Sequence, residues 1–524
     1  MKILIYNKYM STMGGGEKHI GAVAEHLSYK HDVTILTDNA FDLDMFKNRL
    51  NIDLSRTNVI IDNIKNNIDV SRLSYKFDLF INSTYQSTVH GFAKRNILFM
   101  FFPINIHSRL PVGIKNFIRR FVENNLFLGY KFISPYYPQE KYKTKVGNWT
   151  DNDICIFINR KFKASKIIFT YIPVSGFDLK SRIKYIEVDN FPVEYEVSDT
   201  KLIVNIPAII GKKTDLRLKI SLDPINKKIS KHKFASNLGM FVTNTALVYK
   251  NKKRDIIAKS MRLLIKPQWL NRLYAFYGDT DNIDFVSSYD DFVSNSLYTK
   301  HWAMKLLGVR SKMLPPPIDT DIFKSSENKK DYIISVGRFF VGSHNKKHIE
   351  LIKSFKKMYI ENKDLLKNWQ YHTCGGTTKG RANKIYMSMV KKEAEGYPIF
   401  IHENISLKDL IKLYAESKIF WHASGYNEDE RIAPEKFEHF GITTVEAMSS
   451  GCVPVVINKA GQRQIVQSNI EGYLWNSTDD LIRYTLDLIK HPRSIIAFSK
   501  RAIRGSREFS RGVFNRNVNR IFNV

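Results

Sequence analysis

Short apolar runs set the expected elements of this chain. Residues 2–6, 33–37, 77–81 and 96–102 are rich in Ile, Leu, Val and Phe, the pattern of strands buried on both faces. Between the first two, Ile20, Val23, Ala24 and Leu27 recur at helical spacing. Strands alternating with helices predict a parallel sheet covered on both sides. From about 137 to 250 the character changes: runs at 154–159, 166–171, 185–188, 201–206 and 216–222 are short, and several alternate apolar with polar. Gly, Pro, Asn and Asp separate them, which predicts an antiparallel β module inserted in the first domain. The α/β pattern resumes with a helical segment at 256–264 and a strand at 291–293. Pro315, Pro316 and Pro317 then stiffen the chain as a linker. Beyond them a second series places strands at 332–336, 370–373, 399–402, 419–422 and 453–457. The reading is two α/β domains joined by a hinge. The first spans 1–136 and 251–314 around the module at 137–250; the second spans 315–499, followed by a basic tail at 500–524.

Charge and cysteine usage narrow the classes of function. At 524 residues, two or three domains are expected. Lys and Arg number 81 against 51 Asp and Glu, a net charge of +30 that favours anionic partners: nucleic acid, a phospholipid surface or phosphate-bearing substrates. Cys155, Cys374 and Cys452 lie far apart with no C-x-x-C pair, so neither a disulfide framework nor a zinc site is predicted. The opening residues read as a buried strand and not as a signal peptide. No apolar run reaches the roughly 18–20 residues of a membrane-spanning helix. A reducing, cytoplasmic setting is therefore expected.

The chemistry concentrates in the second domain. Glu438 and Glu446 bracket seven residues, with Phe440-Gly441 after the first and Pro454 in a strand beyond the second. Gly441 lets backbone approach a ligand, and a helix starting near Ile442 and Thr443 offers free N–H groups and a positive dipole end to a phosphate. Glu446 inside that helix suits ribose hydroxyls, and Glu438 suits a sugar. Gly337-Arg338 ends a strand, placing a guanidinium at the sheet edge where α/β ligands bind. A nearby ammonium, from Lys346 or Lys347, would complete a cationic clamp on a diphosphate. Gly375-Gly376 and His402-Glu403-Asn404 end two further strands on the same edge.

This combination resembles the E-x7-E signature of the retaining GT-B glycosyltransferases of family 4, and is similar to those that extend lipid-linked glycans. The resemblance implies two Rossmann-like domains facing across a cleft, and transfer of a mannose- or glucose-type hexose from a GDP- or UDP-sugar to a glycan or lipid-linked acceptor. It gives Glu438 the donor sugar, Glu446 the ribose, and Arg338 and Lys346 the leaving diphosphate; the loops at Gly375, Gly376, His402 and Asn404 hold the base. It also implies that the basic tail crosses back to the first domain, and no metal or cofactor is expected. Gly14, Gly15 and Gly16 would face the cleft or form a structural turn. The usual N-terminal His slot is apolar here, at Phe102-Pro103, with His107 displaced from it. The stretch from Ser424 to Glu438 is longer than the family pattern and leaves the donor sugar open. A basic amphipathic helix at 112–128 suits an anionic membrane surface as well as a packed core. Two rival readings are a non-catalytic nucleic-acid binder, for which no RNP, zinc-finger or helix-turn-helix pattern is present, and a GT-B relative with epimerase or phosphorylase chemistry.

Overall fold

A computed structural model of the chain describes residues 1–61, 67–74, 76–103, 130–132, 140–142, 144–159, 164–207, 215–225, 238–249, 284–342, 344–377 and 380–523. His107 and the expected helices at 112–128 and 256–264 lie outside the described residues.

Among the described residues the first domain contains seven parallel strands. Their order is Lys312–Met313, Asp291–Ser294, Arg95–Met100, Leu79–Asn82, Lys2–Tyr6, Asp32–Thr37 and Asn58–Ile61. The apolar runs fall in the middle of this sheet. Its two edge strands escape a hydropathy reading because one is two residues long and the other is largely exposed. The helix Gly15–Ser28 turns Ile20, Val23, Ala24 and Leu27 onto Ile3, Ile5 and Val33. Glu17 caps it by accepting from the Gly14 amide at 2.8 Å.

The second sheet, again all parallel, runs Ile399–Glu403, Gln370–Gly375, Lys330–Val336, Ser417–His422, Val453–Ile457 and Tyr473–Trp475. Adjacent residues Ile333 and Ile334 enter different cores, one with Tyr371, Trp421 and Val455, the other with Phe420, Val445 and Met448. Both faces are thus covered, which is why these strands read as continuous apolar runs.

Two antiparallel sheets are inserted within the first domain, between its strands Arg95–Met100 and Asp291–Ser294. One is built on Ala164–Ile172 and Leu238–Tyr249, the other on Asp153–Asn159, Ile183–Val188 and Asp215–Leu222. They share one core, where Ile154, Ile156 and Leu218 meet Ile167, Phe169 and Val242. Arg217 fastens this module to the first domain: its guanidinium donates to Asp290 at 2.9 Å and to the Ser288 carbonyl at 2.6 Å, and Asp290 in turn accepts from the Asn96 amide at 2.8 Å.

The tail returns to the first domain. In the helix Arg511–Phe522, the buried residues Phe514, Val518, Ile521 and Phe522 join the core of Ile3, Ile20 and Val33. Arg95 caps its end, donating to the Ile521 carbonyl at 3.1 Å while paired with Asp291 at 2.7 Å. Arg511 at its start reaches Glu25 at 2.7 Å and Asp319 of the linker at 3.2 Å.

Candidate active site

The carboxyl edge of the second sheet collects the residues singled out from the sequence. Lys330–Val336 delivers Gly337 and Arg338; Arg338 is exposed and, among the described residues, forms no salt bridge. The next strand ends at Gly375, packed so closely that a Cβ there would lie 1.9 Å from the Gly337 carbonyl oxygen. Only glycine fits that approach. The Gly376 loop is held by Asn404, whose side-chain oxygen accepts from the Thr377 amide at 3.0 Å and whose own amide donates to the Gly375 carbonyl at 2.8 Å. Gly375, Gly376 and Asn404 thus form one surface. His402 turns elsewhere, its Nε2 3.0 Å from Nδ1 of His372.

Lys346 and Lys347 part company. The stem of Lys346 crosses Gly337, and its ammonium bonds Glu438 Oε2. Lys347, which begins the helix His348–Glu361 at φ 57°, pairs instead with Glu428 at 3.0 Å. Glu428 belongs to the long stretch between Ser424 and Glu438, and it also binds Lys436 at 3.0 Å. Lys459 donates to the Glu428 carbonyl at 2.9 Å, so the extra segment is fastened from outside by Lys347 and Lys459 and braced within by Lys436. It also meets the first domain, where the Tyr298 hydroxyl donates to the Pro434 carbonyl at 2.9 Å.

Glu438 accepts a second bond on Oε2 from His422 Nε2 at 3.3 Å. Burial would push its carboxyl up, but Lys346 and His422 outweigh that and hold it well below the usual carboxylate range. It is therefore an anion. After it, Gly441 stands at φ +116°, a conformation that L side chains rarely adopt, and a Cβ there would meet Gln462 Nε2 at 2.4 Å. That turn launches the helix Ile442–Ser449.

Glu446 lies inside that helix and is buried; burial raises its carboxyl to about 7, Lys18 opposing and Asp319 reinforcing the effect. Lys18 comes from the first domain and pairs with Asp319 at 2.8 Å. Thr443 carries its carbonyl to the Tyr414 hydroxyl at 3.2 Å. The glycine loop also arrives here: a Cβ on Gly15 would stand 3.0 Å from Ile442 Cδ1, and Gly16 lies against Phe101. Gly14 serves as N-cap of its own helix. The N-termini of Gly15–Ser28 and Ile442–Ser449 therefore meet across the two domains, converging two positive dipole ends.

Phe102, in the apolar slot noted above, stacks on His439 with ring centroids 4.3 Å apart and planes 16° from parallel. His344 meets His439 edge-on at 4.8 Å. Neither these two histidines nor His422, Lys18 and Glu428 emerge from the sequence as site residues. For His439 a signal existed, since it stands between the two named residues Glu438 and Phe440. The others are gathered only by folding. Among the described residues, no helix is long and apolar enough to cross a membrane.

Residues 317–507 match the family described as glycosyl transferases group 1. The Alpha-1,3/1,6-mannosyltransferase ALG2 of Candida glabrata is 26% identical over 239 residues, 39% of this chain and 50% of that protein. The GDP-Man:Man(3)GlcNAc(2)-PP-Dol alpha-1,2-mannosyltransferase of Dictyostelium discoideum is 22% identical over 211 residues, 38% of this chain and 39% of that protein. The chain spans about half the length of the first of these and less of the second. Among solved structures, Anabaena HepE in complex with UDP-glucose superposes with a TM-score of 0.53 at 11% identity, covering 100% of this chain and 99% of that one. Sucrose-phosphate synthase of Thermosynechococcus elongatus gives 0.50 at 9%, covering 100% and 98%. These likenesses establish the fold as GT-B: two Rossmann-like domains, with the antiparallel sheets inserted in the first.

Proposed function

We propose that the chain is a retaining glycosyltransferase that moves a hexose from a nucleoside-diphosphate sugar to a glycan or lipid-linked acceptor, a reading supported by the match of residues 317–507 to the glycosyl transferases group 1 family. The observation that carries this reading is the meeting of Lys346, Glu438 and the N-terminus of Ile442–Ser449 at one sheet edge. That edge offers a leaving diphosphate an ammonium, the exposed guanidinium of Arg338 and backbone N–H groups, all preorganised where negative charge grows.

In this reading the acceptor hydroxyl attacks the anomeric carbon as the bond to the diphosphate breaks, and the departing phosphate takes the hydroxyl proton. Glu438 holds the hexose as an anionic hydrogen-bond acceptor and not as one of two hydrolase carboxylates. Glu446 receives the ribose hydroxyls, and the surface of Gly375, Gly376 and Asn404 receives the base. The relatives named as mannosyltransferases, one of them for GDP-Man, support a GDP-mannose donor; the UDP-glucose in HepE supports a UDP-glucose donor. The excess of 30 positive charges supports a peripheral encounter with an anionic membrane that carries the acceptor.

A thermal-shift panel of nucleotide sugars identifies the donor, and Glu438→Ala then tests the site. The expected result is stabilisation by one nucleotide class and a transfer rate lowered about 100-fold or more in the variant. An unaltered rate in Glu438→Ala would overturn the assignment.

A further inference from the structure

Glu438 lies in a ring of basic groups. Lys346 reaches it from the loop after Gly337 and His422 from the end of Ser417–His422, while the half-buried imidazole of His344 and the buried one of His439 stand close enough to feel its charge. Lys346 and His422 both bond the same oxygen, Oε2; among the described residues no hydrogen bond is made to Oε1. His422 is fixed in place, 4% exposed, on a strand paired on one side with Lys330–Val336 and on the other with Val453–Ile457. Its Nδ1 is buried and has no partner among the described residues. A neutral imidazole carries one proton, and among the described residues the acceptor bonded to this ring is at Nε2.

We propose that His422 is a positioning residue that retains Glu438 Oε2 when Lys346 turns to the donor diphosphate, so that Oε1 keeps facing the hexose. The proposal rests on the glycosyl-transfer reading above. One ammonium cannot serve both anions fully. When a diphosphate enters beside Gly337, Lys346 has a stronger partner than a single carboxylate, and Glu438 is left a partly buried anion that has lost its counter-ion. The remaining donor on Oε2 is then His422, and its rigid strand holds the carboxylate at the angle set before the donor arrived.

The experiment compares His422→Leu and His422→Gln in the full chain, with initial rates from about pH 5 to about pH 9 and urea denaturation as a folding control. Leu fills the volume without a donor; Gln places an amide nitrogen near the position of Nε2. In His422→Leu, kcat should fall about 10- to 100-fold with donor KM within about twofold, because the loss is felt after binding. The acid limb of kcat should move to higher pH, since Glu438 loses a group that favours its ionised form. His422→Gln should restore most of both. Equal losses in the two variants, or a Leu variant with wild-type kcat and acid limb, would overturn the proposal. Calorimetry with GDP and UDP separates the two levels. A wild-type chain that binds neither nucleotide and transfers no sugar overturns the functional reading and this proposal with it. Nucleotide binding and transfer with an indifferent His422→Leu overturns the proposal alone.

Discussion

Two carboxyls eight positions apart in sequence are driven in opposite directions by their surroundings. Glu438 has Lys346 and His422 on one oxygen and stays ionised; Glu446 is buried with Asp319 near and is raised to about 7, although Lys18 opposes the shift. A folded-state value above the ordinary 4.5 means that the native chain holds a proton the unfolded chain has lost. Stability from this group is therefore complete below about pH 4.5 and declines as pH rises to about 7, by at most about 3 kcal/mol. Glu446→Gln should raise the urea midpoint above pH 7, flatten that decline, and weaken nucleotide binding. A pH-independent midpoint in the wild type would contradict the account. Sequence reading singles out both carboxyls because their spacing is fixed in the chain. It leaves Lys346 and Lys347 as rivals, since adjacent lysines differ only in which anion folding brings to each, and Glu428 is distant in sequence.

The elements that mattered were legible for a physical reason. Strands buried on both faces are enriched in apolar residues, so most central strands of both sheets declare themselves as apolar runs, although buried polar residues such as Asn82, Ser335 and Thr373 interrupt them. Edge strands such as Asn58–Ile61 and Tyr473–Trp475 pair on one side only and are short, so they lack that signature. Turns are different again, because backbone geometry is specified by single residues. Gly441 is the sharpest case. Gly441→Ala should cost about 1–3 kcal/mol from its backbone conformation, in addition to the contact with Gln462. It should also lower nucleotide affinity by tilting the start of Ile442–Ser449. Urea denaturation with nucleotide titration checks both; an Ala variant with wild-type stability would show that the turn relaxes without strain.

At the scale of the whole molecule, the two domains are joined by more than a linker. Lys18 reaches Asp319, Arg511 ties Asp319 to Glu25, and Phe102 stacks on His439, so hinge and cleft share contacts. Phe514 shows how much the first domain owes to the tail. It is 3% exposed in the core beside Ile20 and Val23, and Phe514→Ala should destabilise the chain by about 3–5 kcal/mol. A calorimetric scan should place that loss in the first domain and leave the nucleotide-dependent shift of the second largely unchanged.

The return of Arg511–Phe522 also bears on how the chain is made. Synthesis runs from the amino end, so the strand Lys2–Tyr6 leaves the ribosome well before the helix Arg511–Phe522 that forms one wall of its core. Until that helix emerges, Ile20, Val23 and their neighbours stay partly uncovered through production of the entire second domain. Over that interval the nascent chain carries an open greasy flank, a natural place for a holding chaperone to sit.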